Sequence, residues 1–228
     1  MGWNSTNLKR KLCLLRLYNR IISMDDQRLP KIVLNWDMKT CTPGWARDVS
    51  NIVNEIGLYS SFINKIPICI ENAKHELEKI EITQWEENVN NMDKLRTYAN
   101  FKWSFGVEKY VKTLLSKSHR SFLAQFRCGI LPIRIETGRF QGLHIRDRLC
   151  EVCNQCCIED EIHFLLECPT YECERNTLFI KANFYYENFN ELEDDVKLCI
   201  FMNDEDLFGS VAKYIDSAYH KRSEVLTK

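Results

Sequence analysis

Cys150, Cys153, His163 and Cys168 follow the spacing C-x2-C-x9-H-x4-C, and no other feature restricts the fold of this chain as tightly. Three thiols and an imidazole in so short a span match the ligand set of a tetrahedral structural zinc site. The C-x2-C pair reads as a tight turn that aims both sulfurs at one ion. His163 lies in the apolar run 162–166, which reads as a short helix. Cys168 follows five positions later, too far round an α-helix to face the same way. Pro169 disfavours helical geometry at the residue before it, so the helix is expected to end at Cys168.

Cysteine usage agrees with metal rather than disulfides. Of eleven cysteines, six fall between positions 150 and 173, and the other five are scattered. The N-terminus lacks the apolar core of a signal peptide, so the expected setting is intracellular, nucleus or cytoplasm, with thiols reduced. Cys156 and Cys157 lie within reach of the same ion, and either can replace Cys153 on spacing alone. No apolar run approaches the length of a membrane span, so no membrane partner is expected. A net charge of −1 gives no global sign of a nucleic-acid partner.

Eight glycines, five prolines and scarce period-two alternation predict a mainly α fold. The expected architecture is an irregular helical assembly with a small zinc-stabilised turn-helix subdomain. Helices are expected over 7–23, 45–56 (ended by Gly57), 70–90, 106–115, 118–128, 171–185 and 204–223. Breaks are expected at Leu29-Pro30 and Pro43-Gly44, an extended segment from Leu131, and an acidic linker at 187–195. The pattern divides into a helical region 1–115, a zinc-binding segment with a basic lead-in at 116–176, and C-terminal helices at 177–228.

Charge is uneven along the chain. Residues 112–148 hold eight bases against two acids, and 151–168 hold five acids and no base. Lys117, Arg120, Arg127, Arg134, Arg139, Arg146 and Arg148 are the expected contacts to RNA or DNA phosphates. Phe122 and Phe126, four apart, read as core. No phosphate loop, nucleophile elbow or metalloprotease signature is present, so neither catalysis nor a small-molecule substrate is expected.

Residues 130–176 also carry a recognisable text. Arg134-Ile135-Glu136-Thr137-Gly138-Arg139 leads into Arg148-Leu149-Cys150, then the acidic turn Glu159 to Leu165, then Cys168-Pro169. This resembles the zinc-binding segment that follows the polymerase domain in non-long-terminal-repeat retrotransposon reverse transcriptases. The likeness is strong over 118–176 and loose elsewhere, where 25–31 looks like the post-polymerase linker. It implies metal ligation by Cys150, Cys153, His163 and Cys168 and a role in holding template RNA or target DNA. The polymerase and endonuclease motifs of that family are absent from this sequence, so its enzymatic activity does not carry over. Two other readings are a protein-interaction module whose acidic finger docks a basic partner, and a decayed element without function.

Overall fold

The computed structural model describes residues 5–40 and 44–227, and it is mainly helical as the sequence predicts. Among these residues there is no strand, only an isolated antiparallel bridge between Leu149 and Ile158. No helix among them is long and apolar enough to cross a membrane. The described residues fall into two compact units, one up to residue 86 and one from residue 87. The segments 116–176 and 177–228 expected from sequence both lie in the second of these units. The basic lead-in and the C-terminal helices belong to one unit because they share one core.

The first unit is built on α1 (Thr6–Ile22), α2 (Leu29–Thr40), α3 (Trp45–Glu55), the short α4 (Tyr59–Ile63) and the start of α5 (Ile70–Asn91). Ser5 caps α1 by accepting from the Leu8 amide at 3.0 Å. Leu8, Leu12, Leu15, Tyr18 and Ile22 recur at helical spacing and are buried. They pack with Val49, Ile52 and Val53 of α3 and with Phe62. The Asn19 side chain brackets Ile68, donating to its carbonyl and accepting from its amide. Helix α2 falls where only a break was expected. Proline is tolerated in a first turn, and Pro30 stands second in this helix. Pro43 lies outside the described residues.

The second unit holds α6 (Arg96–Ala99), α7 (Lys117–Arg127), α8 (Arg134–Phe140), α9 (Glu172–Tyr185), α10 (Asp194–Asn203) and α11 (Phe208–Leu226). Helices α7 and α11 pack most extensively, and Leu123 and Phe126 of the one and Val211 and Ile215 of the other are fully buried. Phe126 is fully buried, as its spacing predicts, and Phe122 is half-buried against Tyr219. Several expected elements differ. The stretch 106–115 makes only a single 3-10 turn, Lys109–Val111. The expected acidic linker ends in α10, so the last helix is preceded by another. The lead-in expected to be extended forms α8 instead, because Pro132 and Ile133 end the extended run and the residues from Arg134 pair locally.

Arg127 is the largest departure from expectation. Placed on sequence among the phosphate contacts, its side chain is only 2% exposed, so it cannot reach a nucleic acid. It donates to Glu108 at 2.5 Å and to the Met202 carbonyl, and its guanidinium lies over the rings of Phe101 and Tyr110. Glu108 also accepts from Tyr98 at 2.6 Å. Burial and that hydrogen bond raise the Tyr98 hydroxyl far above its ordinary value. A buried ion pair stripped of one partner leaves a charge uncompensated, at a cost of about 3–5 kcal/mol. Glu108→Ala is therefore expected to destabilise the chain by that amount in urea unfolding. Glu151→Ala, whose side chain is 43% exposed, is expected to change it by less than about 1 kcal/mol.

Candidate metal centre

The metal-ligand residues predicted from spacing come together. One ligand atom from each of Cys150, Cys153, His163 and Cys168 lies within 4.8 Å of all the others, and Cys150, His163 and Cys168 are buried. A tetrahedral zinc with sulfur at about 2.3 Å sets its ligand atoms roughly 3.7 Å apart, so the cluster needs only a small contraction to fit. Cys156 and Cys157 are not in the cluster: Cys156 is exposed, and Cys157 donates to the Gln155 carbonyl.

Local backbone geometry explains the convergence. The Leu149–Ile158 bridge closes a loop in which the Cys150 amide donates to the Cys157 carbonyl at 2.8 Å. Cys156 takes a left-handed conformation (φ 52°) that turns the loop back on itself. The Thr170 hydroxyl donates to the Val152 carbonyl at 2.8 Å and ties this loop to the segment after Cys168. His163–Glu167 is a π-helical turn rather than the short α-helix expected. In an α-helix, residues five apart point about 140° away from each other. In the π turn the Cys168 amide bonds the His163 carbonyl at 2.8 Å, which brings the two side chains to the same side. Cys168 itself has left helical geometry (ψ 120°) in front of Pro169, as predicted.

Hydrogen bonding assigns the histidine nitrogens. Nε2 lies 3.4 Å from the Cys153 sulfur, and Nδ1 lies 3.2 Å from Glu167 Oε2. A carboxylate on the far nitrogen holds the ring in the tautomer that offers Nε2 to a metal. Without metal, Cys150, His163 and Cys168 shift one another. A hydrogen bond to Cys168, with burial, pushes the Cys150 thiol up to about 12. The same bond, from the other side, lowers Cys168. His163 is pushed up to about 9 by its hydrogen bond to Cys150, against burial and aided by Cys153 and Glu167.

Ion pairs to two buried carboxylates clamp the site into the fold, and sequence reading missed them. Glu159 is fully buried and accepts from Arg222 of α11 at 2.7 and 2.8 Å. It also accepts from the Arg134 amide at 2.7 Å, at the start of α8. Glu161 accepts from Arg96 at 2.7 and 3.0 Å and from Thr97 at 2.9 Å. From α9, Arg175 donates to the Leu165 and Cys168 carbonyls, and Tyr214 of α11 donates to the Phe164 carbonyl at 2.7 Å. The acidic finger therefore turns Glu159 and Glu161 inward. These two acids are not available to dock a basic partner.

The remaining expected phosphate contacts divide in two. Arg134 pairs with Glu151 at 3.1 Å. Arg148 donates to the carbonyls of Ile135 at 2.8 Å and Leu143 at 2.9 Å, working as a staple between α8 and the metal loop. Gly138 makes room for that staple, since a Cβ there would stand 2.8 Å from the Arg148 side chain. Lys117, Arg120, Arg139 and Arg146 stay exposed. Arg120 bonds the carbonyls of Thr113 and Leu115, and Arg139 pairs with Glu136 at 2.7 Å. No protein-family model, curated protein or solved structure matches the chain.

Two expectations follow. Glu167→Gln should weaken metal binding by about 10- to 100-fold in chelator competition, whereas Glu172→Gln, on the exposed start of α9, should leave it unchanged. The second concerns pH. In the metal-free chain, a raised His163 means that the native state keeps a proton the unfolded chain loses. That contribution is complete below about pH 6.5 and is lost as pH rises through about 9. Metal needs a neutral imidazole, so the stabilisation it adds should grow across the same window. Unfolding midpoints with and without zinc, at intervals from pH 6 to 9, measure both.

Proposed function

We propose that this chain is a non-catalytic, zinc-stabilised nucleic-acid-binding segment of the kind it resembles in non-long-terminal-repeat retrotransposon reverse transcriptases. One observation carries the reading: three cysteines and a histidine, predicted from spacing, converge within 4.8 Å in a fold that encloses three of them. Three thiolates with one imidazole favour zinc over harder cations, which prefer oxygen. When bound, the ion would supply a cross-link between the loop of Cys150 and Cys153, the π turn and Cys168 rather than an open coordination position.

The chain's own residues would pass that rigidity to the basic surface. The Glu159 amide donates to the Arg148 carbonyl at 3.0 Å, and its carbonyl accepts from the Ile135 amide at 3.0 Å. Its side chain holds the Arg134 amide at 2.7 Å. The metal loop and α8 are thus joined by main-chain bonds through a single residue. Lys117, Arg120 and Arg146 are the side chains left to meet phosphates, with Arg139 shared between Glu136 and solvent. Backbone contacts of this type are independent of sequence and weaken as salt rises.

Protein purified without chelator is expected to carry one zinc per chain by elemental analysis, and Cys168→Ser to lose it with a lowered melting temperature. A stoichiometry well below one rejects the metal assignment. Binding to RNA and DNA, measured from low to high salt, should fall linearly in log–log form. Neutralising Lys117, Arg120 and Arg146 together should reduce the slope by about one unit per side chain. Affinity that is absent, or flat across salt, rejects the nucleic-acid reading.

A further inference from the structure

Phe140 stands at the end of α8 with 76% of its surface exposed, although large aromatic side chains usually bury their faces. The Arg139 guanidinium lies 4.7 Å from the centre of its ring. Directly after it, the chain reverses through Gly142 (φ 70°), where a side chain would be strained. The Gly142 amide bonds the Arg139 carbonyl at 3.1 Å, and the Leu143 amide bonds the Gly138 carbonyl at 2.9 Å. Arg148 pins the far side of the turn through the Leu143 carbonyl. His144 and Arg146 follow, both exposed, and Arg146 makes no ion pair among the described residues.

We infer that Phe140 is a stacking platform for an unpaired nucleobase, with Arg139 and Arg146 placed for the adjoining phosphates, so that the ligand is single-stranded rather than duplex nucleic acid. The inference rests on the nucleic-acid reading above and specifies its ligand. A duplex hides the faces of its bases, leaving an exposed ring nothing to stack on. A single strand offers a π-face at every base, and stacking tolerates any sequence. The turn is held by main-chain bonds to Gly138 and Arg139 and by the Arg148 side chain at Leu143, so little backbone freedom is lost when a base settles on the platform. The guanidinium on Phe140 is paired with Glu136 yet 46% exposed, and it leaves a charged donor beside the ring where the phosphodiester would pass. An apolar protein partner would meet that charge beside its contact and would be disfavoured.

The test uses the full zinc-loaded chain and three probes of equal phosphate count: a single strand, the same strand with abasic sites, and a duplex. Wild-type protein is expected to prefer the base-bearing strand to the abasic one by about tenfold. Phe140→Ala should erase that preference while leaving the salt slope and zinc content unchanged, and Phe140→Trp should restore it. Arg146→Gln should weaken both single strands equally and reduce the slope by about one unit. Equal, salt-dependent binding of the two single strands by wild type overturns the platform but leaves phosphate binding standing. So does a Phe140→Ala protein that still discriminates. Absence of binding to all three probes overturns the platform together with the reading beneath it.

Discussion

Glu159 is the residue through which the second unit is joined. It is wholly buried. Its carboxylate takes two bonds from Arg222 near the end of α11 and one from the amide that begins α8, while its own amide and carbonyl bind Arg148 and Ile135. Burying a carboxylate is costly unless every oxygen is matched, and here both oxygens are. Its side chain joins the lead-in helix to the last helix, and its main chain ties both to the base of the loop that carries Cys150 and Cys153. The metal ligands sit on either side of it in sequence, so the cluster inherits its geometry from a polar clamp as much as from packing.

The metal cluster was legible because it depends on short-range spacing. Two residues between Cys150 and Cys153, and a proline behind Cys168, describe local turns, and local turns survive whatever the rest of the chain does. The core face of α1 was legible for the same reason. The clamp was not. Glu159 and Arg222 are 63 positions apart, and nothing in Glu159-Asp160-Glu161 distinguishes an acid that faces water from one that faces a buried arginine. Three acids around position 160 therefore read as a charged surface, although two of them are interior.

The basic lead-in failed in the same direction. Counting arginines between 112 and 148 treats them alike, but the fold gives them different tasks. Arg127 lies under two rings and against a carboxylate, and Arg148 serves main-chain carbonyls across Gly138. Arginine's fork of donors suits such internal work, which is why a run of arginines overstates the charge that a partner would meet. What marks the outward-facing members is position. Arg139 stands in the last turn of α8 and Arg146 just beyond Gly142, both exposed at the edges of one chain reversal.

The π turn carries a different implication, for how the sequence can change over time. A π turn is a helix holding one residue more than its regular winding would accommodate. Between His163 and Cys168 the residue count is thus itself a structural element. Adding one position would set the two ligands six apart, about 120° from each other in a regular α-helix, and swing Cys168 away from the cluster, however conservative the remaining residues were. Insertions in the loop around Cys156 would meet no such limit, because that loop is closed at its base by the Leu149–Ile158 bridge. Length is therefore constrained on one side of the cluster and free on the other.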